Sequence, residues 1–175
     1  MHIHAYSWLG EKELFDREAL RRPPDRPHPP VTAEDEEHYR TLLETFRHSE
    51  LPPLETSLWL LKTPALIRAT FEEPKDAAAW LGRELTEHAP GFLSHQEADT
   101  ARQARLVTTA TTRLTHGTDV SFGFYLGRTS FLSLALVTCT PNHWTPSLPC
   151  PSLGDRVVRR GQGQAKASDW YRSHR

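Results

Sequence analysis

The sequence predicts an α+β domain in which an antiparallel sheet, made of a hairpin and a three-stranded meander, packs with two helices in the order α-β-β-α-β-β-β. Three observations predict it. Residues 105–139 are rich in Thr, Val and aromatic residues with stretches of strict alternation, which is strand composition. Residues 33–49 and 75–88 repeat apolar residues every three or four positions, the period of a helix with one buried stripe. Prolines crowd both sides of this region, five of them within residues 21–30 and four within 141–151, and they exclude helix and central strand there.

Taken in order, residues 1–9 read as a short strand in which His2, His4, Tyr6 and Trp8 alternate with Ile3, Ala5, Ser7 and Leu9. Residues 11–22 follow as a charged helix, and 21–30 as an extended, polyproline-like linker. Thr32 is an N-cap with Asp35 three positions on, and Glu34 to Glu37 complement the helix dipole. Tyr39, Leu42, Leu43 and Phe46 then make one apolar stripe, and Pro52-Pro53 ends the helix. Residues 57–62 and 65–72 form the hairpin, with its turn at Thr63-Pro64. Pro74 starts the second helix, where Ala77, Leu81, Leu85 and His88 recur until Pro90-Gly91.

The meander comprises 105–115, 118–126 and 129–139, with turns at His116-Gly117 and Gly127-Arg128. Residues 94–103 are open between loop and helix. A helix over 98–115 is the alternative, carried by Ala101, Ala104, Val107, Ala110, Thr111 and Leu114; six threonines between 108 and 118 count against it. The folded domain is therefore expected at 32–153, with 1–31 preceding it and 154–175 as a disordered basic tail. This order of elements is similar to that of profilin-like and PAS-like modules, with the cone-shaped cyclase folds as an alternative. The likeness is one of topology, with no family motif, and carries no function.

Two-residue turns would fix the faces of the meander. One face then collects Leu132, Leu134, Leu136, Tyr125, Leu114, Ala110 and Leu106. The other collects Val120, Phe122, Phe124, Phe131, Ala135, Val137 and Val107. Both are apolar, whereas a sheet open to water on one side shows a polar face. Something must cover each side: the proline-rich flanks, a second copy, a protein partner, or a pocket holding a small molecule.

A net charge of −1 and a pI near 6.8 provide no field for a nucleic-acid partner, and no apolar run is long enough for a membrane helix. The N-terminus lacks the layout of a signal peptide and two cysteines are too few for a disulfide framework, so a cytoplasmic, reducing setting is expected. No nucleophile elbow, zinc-protease, phosphate-loop or dinucleotide motif occurs, and no cofactor is expected.

Reactive residues are grouped by the meander: His116, Asp119, Cys139 and His143 are expected at one end of it. They offer a Cys-His-Asp set for nucleophilic chemistry, or else His116, Cys139, His143 and Cys150 offer tetrahedral metal ligands to which His2 and His4 could add. The leading reading assigns no metal. It is a non-catalytic binding or regulatory module that engages a protein partner or itself through Phe122, Phe124, Phe131 and Tyr125. The competing reading is a small cyclase- or isomerase-like enzyme with an aromatic-lined cavity and a histidine or Asp119 as acid or base.

Overall fold

The computed structural model describes residues 1–29, 31–139 and 141–153; the basic tail at 154–175 lies outside them. The chain is α+β with one four-stranded antiparallel sheet of order β2-β1-β4-β3. Its strands are β1 (His2–Glu11), β2 (Ala69–Phe71), β3 (Val120–Leu126) and β4 (Ser130–Cys139). The N-terminal alternation is indeed a strand, and it is an interior one. β1 pairs along its whole length with β4, from His2 opposite Cys139 to Glu11 opposite Ser130, and on its other edge with β2. The folded unit thus begins at residue 2, within the segment read as preceding the domain.

Several predicted helices are present and end where the sequence punctuates them. The helix Lys12–Phe15 (α1) occupies part of the charged segment and gives way to a 3-10 turn at Glu18–Arg21. The helix Ala33–His48 (α2) starts on a complete capping box: Thr32 Oγ1 accepts from Asp35 N at 3.1 Å, and Asp35 Oδ2 accepts from Thr32 N at 3.0 Å. The helix Pro74–His88 (α3) has its proline at the first turn. The short helix His95–Ala98 (α4) and Asp99, which caps the next helix by accepting from Arg102 N at 2.8 Å, resolve the polar stretch.

That next helix, Thr100–Thr115 (α5), replaces the first strand of the expected meander. The threonines do not break it, because their hydroxyls are satisfied inside it: Thr108, Thr111, Thr112 and Thr115 each donate to the carbonyl four residues back, at 2.8 to 3.1 Å. The stripe Leu106, Val107, Ala110 and Leu114 then packs on the sheet. The predicted 57–72 hairpin is also corrected. Thr56–Leu61 and Pro64–Leu66 are 3-10 turns, and only Ala69–Phe71 is strand. Pro64 lacks the N–H a ladder needs, and Trp59 and Leu60 bury themselves as a cover on the sheet. The observed order of main elements is β-α-β-α-α-β-β, which departs from α-β-β-α-β-β-β.

Register is the second correction. The β3–β4 turn has three residues, Gly127 to Thr129, with Gly127 at φ +63°, and Leu126 pairs with Ser130. That is one residue longer than a two-residue turn, and a one-residue slip exchanges the faces. Val120, Phe122, Phe124 and Leu126 therefore share a face with Leu132, Leu134 and Leu136. α3 and α5 cover it through Ala77, Ala78, Leu81, Leu85, Ala110 and Leu114, while α2 contributes only Phe46 to the interior. The opposite face buries Tyr6, Trp8, Phe131, Ala135, Val137 and Cys139 beneath Trp59, Leu60, Phe15, Leu51, Leu148 and Cys150. Its two margins are exposed, at Ser121, Gly123 and Tyr125 on β3 and at Thr70 on β2.

Lys62 ties this cover to α2. Buried to 2 % exposure, its ammonium donates to the carbonyls of Phe46 at 2.7 Å and Ser49 at 3.0 Å and lies 3.9 Å from the Phe46 ring centre. Burial holds its pKa down at about 8.

Two outcomes test this arrangement. A chain starting at residue 32 lacks the strand that both β2 and β4 require, and is expected to show no cooperative thermal transition by circular dichroism. At Gly123 a Cβ would stand 2.4 Å from Phe131 Cζ, whereas at Gly127 nothing lies within 4 Å. Gly123→Ala should cost about 1–3 kcal/mol in denaturant unfolding and be relieved by Phe131→Leu; the roughly 1–2 kcal/mol expected for Gly127→Ala, a backbone penalty, should not be.

Candidate metal site at the end of β1 and β4

The pairing of β1 with β4 puts His2 opposite Cys139 at the end of the sheet. Alternation carries His2, His4 and Tyr6 to the same face as Cys139, Val137 and Ala135. Over that corner passes the segment 141–153, which delivers Cys150. The result is four groups of metal-ligand type from three places in the chain: two imidazoles from β1, one thiol from β4 and one from the strap.

Their distances are short. His4 Nε2 lies 3.2 Å from Cys139 Sγ and 3.3 Å from Cys150 Sγ. His2 Nδ1 lies 3.6 Å from Cys150 Sγ, and the ligand atoms of His2, Cys139 and Cys150 all fall within 4.8 Å of one another. For a tetrahedral zinc with Zn–S near 2.3 Å and Zn–N near 2.05 Å, the N···S edge is about 3.6 Å and the S···S edge about 3.8 Å. The three N···S contacts come within a few tenths of an ångström of that edge, while the His2 and His4 ring centres stand 6.2 Å apart, so the mutually close set is His2, Cys139 and Cys150, with His4 against both sulfurs.

The protonation states also suit ligation. Burial, and to a smaller extent the neighbouring His2, push the His4 imidazole down to about 4, so it is neutral at ordinary pH. Thr70 Oγ1, from the adjacent β2, lies 2.9 Å from His4 Nδ1. With that ring nitrogen donating to the hydroxyl, the Nε2 lone pair points at the sulfurs, the outer-shell arrangement that orients ligating histidines. Both cysteines are buried thiols. His2 Nδ1 is a second imidazole nitrogen beside Cys150, and a cation at the centre would use these lone pairs and both sulfurs together.

Beside the sulfurs lies Tyr6, 1 % exposed and stacked on Trp59 with ring centres 4.4 Å apart. Its hydroxyl has no hydrogen-bond partner among the described residues, a condition that costs roughly 1–3 kcal/mol. Burial, with smaller contributions from Cys139 and Cys150, raises its pKa above the usual phenol range.

The other reactive residues are placed elsewhere. Asp119 is buried just before β3, where its Oδ1 accepts from Thr138 N at 2.8 Å, Thr138 Oγ1 at 2.9 Å and Asn142 Nδ2 at 3.1 Å. Asn142 in turn holds the start of the strap, accepting from Trp144 N and Thr145 N. His116 is exposed and bonds to Thr112 of its own helix, and His143 is exposed against Trp144. The Cys-His-Asp set is therefore not brought together. Of the predicted binding aromatics, Phe124 and Phe131 are buried, Phe122 is half-buried, and Tyr125 is 42 % exposed. Phe122 and Phe124 pack with Phe92 under α3 and α5.

A 770 Å³ groove does exist, but it lies away from these aromatics, between Leu20, Pro23 and Pro24 on one side and Leu42, Phe46 and Leu58 on the other. Sequence reasoning named all four of these histidines and cysteines yet missed Tyr6 and Thr70. The signal for Tyr6 was present in the β1 alternation, which places it on the His2 and His4 face.

The structural role of Asp119 is measurable. Asp119→Ala strands three donors and should cost about 2–4 kcal/mol in denaturant unfolding, while His116→Ala and His143→Ala should stay within about 0.5 kcal/mol.

Among the described residues no helix is long and apolar enough to cross a membrane. Compared with protein-family models, curated proteins and solved structures, the chain matches none.

Proposed function

We propose that this chain is a non-catalytic zinc-binding protein in which one Zn²⁺, held by His2, His4, Cys139 and Cys150, clasps the N-terminal strand and the C-terminal strap to the end of β4. The observation that carries the reading is the convergence of two buried sulfurs on a single neutral imidazole nitrogen, at 3.2 and 3.3 Å. Two thiolates and two imidazoles form a borderline-soft, tetrahedral set that favours Zn²⁺ over Mg²⁺ or Ca²⁺. Four protein ligands leave no position for water or substrate, the mark of a structural site. A reducing compartment such as the cytoplasm keeps such thiols available.

Other readings draw less support. An enzyme built on an aromatic cavity needs Phe122 and Phe124 to line open space, whereas Phe124 stacks on Phe92 and Phe122 lies against Phe124. A module that engages a partner or a second copy through an apolar sheet face is left the β3 margin around Tyr125, with the polar Thr70 exposed at the β2 margin.

Elemental analysis of protein expressed with zinc should find a single ion per chain. Cys139→Ser and Cys150→Ser should each abolish it, and His143→Ala should not. Cobalt(II) in place of zinc should show thiolate charge-transfer and tetrahedral ligand-field bands. Zinc at a hundredfold excess over Kd should raise the melting temperature by roughly 5–10 °C. A wild-type chain that takes up neither metal in competition with a chromophoric chelator overturns the proposal.

A further inference from the structure

We infer that the Tyr6 hydroxyl is a positioning donor for the metal centre, poised to hydrogen-bond a zinc-bound thiolate of Cys139 or Cys150. The inference rests on the zinc reading above. It starts from a separate observation: among the described residues, Tyr6 Oη is a buried side-chain polar atom with no hydrogen-bond partner. Such atoms are rare in folded proteins and call for a physical reason.

The surroundings narrow that reason. Tyr6 follows His2 and His4 on one face of β1, and its ring is held in place by the near-parallel Trp59, at an interplanar angle of 14°. Around it lie Leu60, Ala135, Val137, Leu66, Ile67 and Leu148, none with a side-chain acceptor, and the two sulfurs. Trp59 offers only an indole donor. Within this apolar cluster the sulfurs are the side-chain acceptors, and neither forms a hydrogen bond with Tyr6 Oη while no metal is bound.

A thiol sulfur is a weak acceptor. Zinc deprotonates its cysteine ligands, and the resulting thiolate bears the charge that makes a hydrogen bond strong. Loading the metal therefore creates the partner that the hydroxyl lacks. The bond would disperse charge from the sulfur and orient the ligand, as outer-shell groups do at other metal sites.

A purely structural tyrosine and a thiolate donor respond differently to Tyr6→Phe, which keeps the ring on Trp59 and removes only the hydroxyl. As a donor, Tyr6 should be dispensable without metal and needed with it. The metal-free variant should then unfold at the same or higher denaturant concentration than metal-free wild type, while its zinc affinity, by chelator competition, falls roughly 10- to 100-fold. In the cobalt form, the sulfur-to-metal charge-transfer band should move to lower energy, because the sulfur lone pairs lose a stabilising bond.

The wild type bound to zinc with the variant equally tight and its cobalt band unmoved would overturn the role of Tyr6 and leave the zinc site standing. A wild type that binds neither metal removes the site itself. Should Tyr6→Phe fail to fold, Thr70→Val supplies a second test of outer-shell positioning at the same centre. It removes the His4 Nδ1 partner at 2.9 Å, and should also weaken zinc while leaving the sulfur charge-transfer band in place. A band shift equal to that of a sulfur-directed change would contradict the assignment of Tyr6 to the sulfurs.

Discussion

Everything in the sheet depends on β1 lying between β2 and β4. It is hydrogen-bonded on both edges and buried on both faces, with Ile3 and Ala5 under α3 and α5 and His4, Tyr6 and Trp8 under the opposite cover. β4 can pair with β3 locally, through a three-residue turn, but its other edge waits for the N-terminus across more than a hundred residues. Such a contact carries a high loop-closure cost that only burial on both faces can offset. The alternation of His2 to Leu9 was legible as a strand; its central position was not, because sequence periodicity reveals a strand's faces and says nothing about which strand lies beside it.

The misread region shows a different limit. Threonine belongs to strands by average preference, and residues 105–115 satisfied that average. What decides the segment is local and long-range together. Asp99 caps it, four hydroxyls bond back into it, and Leu106, Val107, Ala110 and Leu114 meet α3 and the sheet along one stripe. The caps of α2 and the proline start of α3 were legible because their chemistry lies within four residues. The exchange of faces in the β3–β4 hairpin turned on one extra residue in its turn. That residue is also why Phe122 and Phe124 belong to the core they were expected to leave exposed.

For the candidate site, the residue types were readable and the grouping was not. Cys139, Cys150, His2 and His4 were all recognisable as potential ligands. Yet a meander ending at His116 and Asp119 directed attention to the wrong neighbours. Once β1 takes the place beside β4, His2 stands opposite Cys139 by register alone, and the strap has only to cross the sheet end to bring Cys150. Asp119, which looked like chemistry, instead joins Asn142 in anchoring the start of that strap.

This division of labour bears on why polar groups occupy so buried a corner. His4 is wholly inaccessible, in a row where Ile3 and Ala5 on the other face are equally so. An aliphatic residue at position 4 would avoid the cost of burying an imidazole, and Phe at position 6 would avoid that of an unpaired hydroxyl. Three departures from the cheapest packing, at His4, Tyr6 and the paired thiols, meet within one cluster. Scattered, each would need its own explanation; together they would have one in the proposed zinc, which would give the imidazole a bond, convert the thiols to thiolates and hand the hydroxyl an acceptor, reconciling the local sequence with the fold around it.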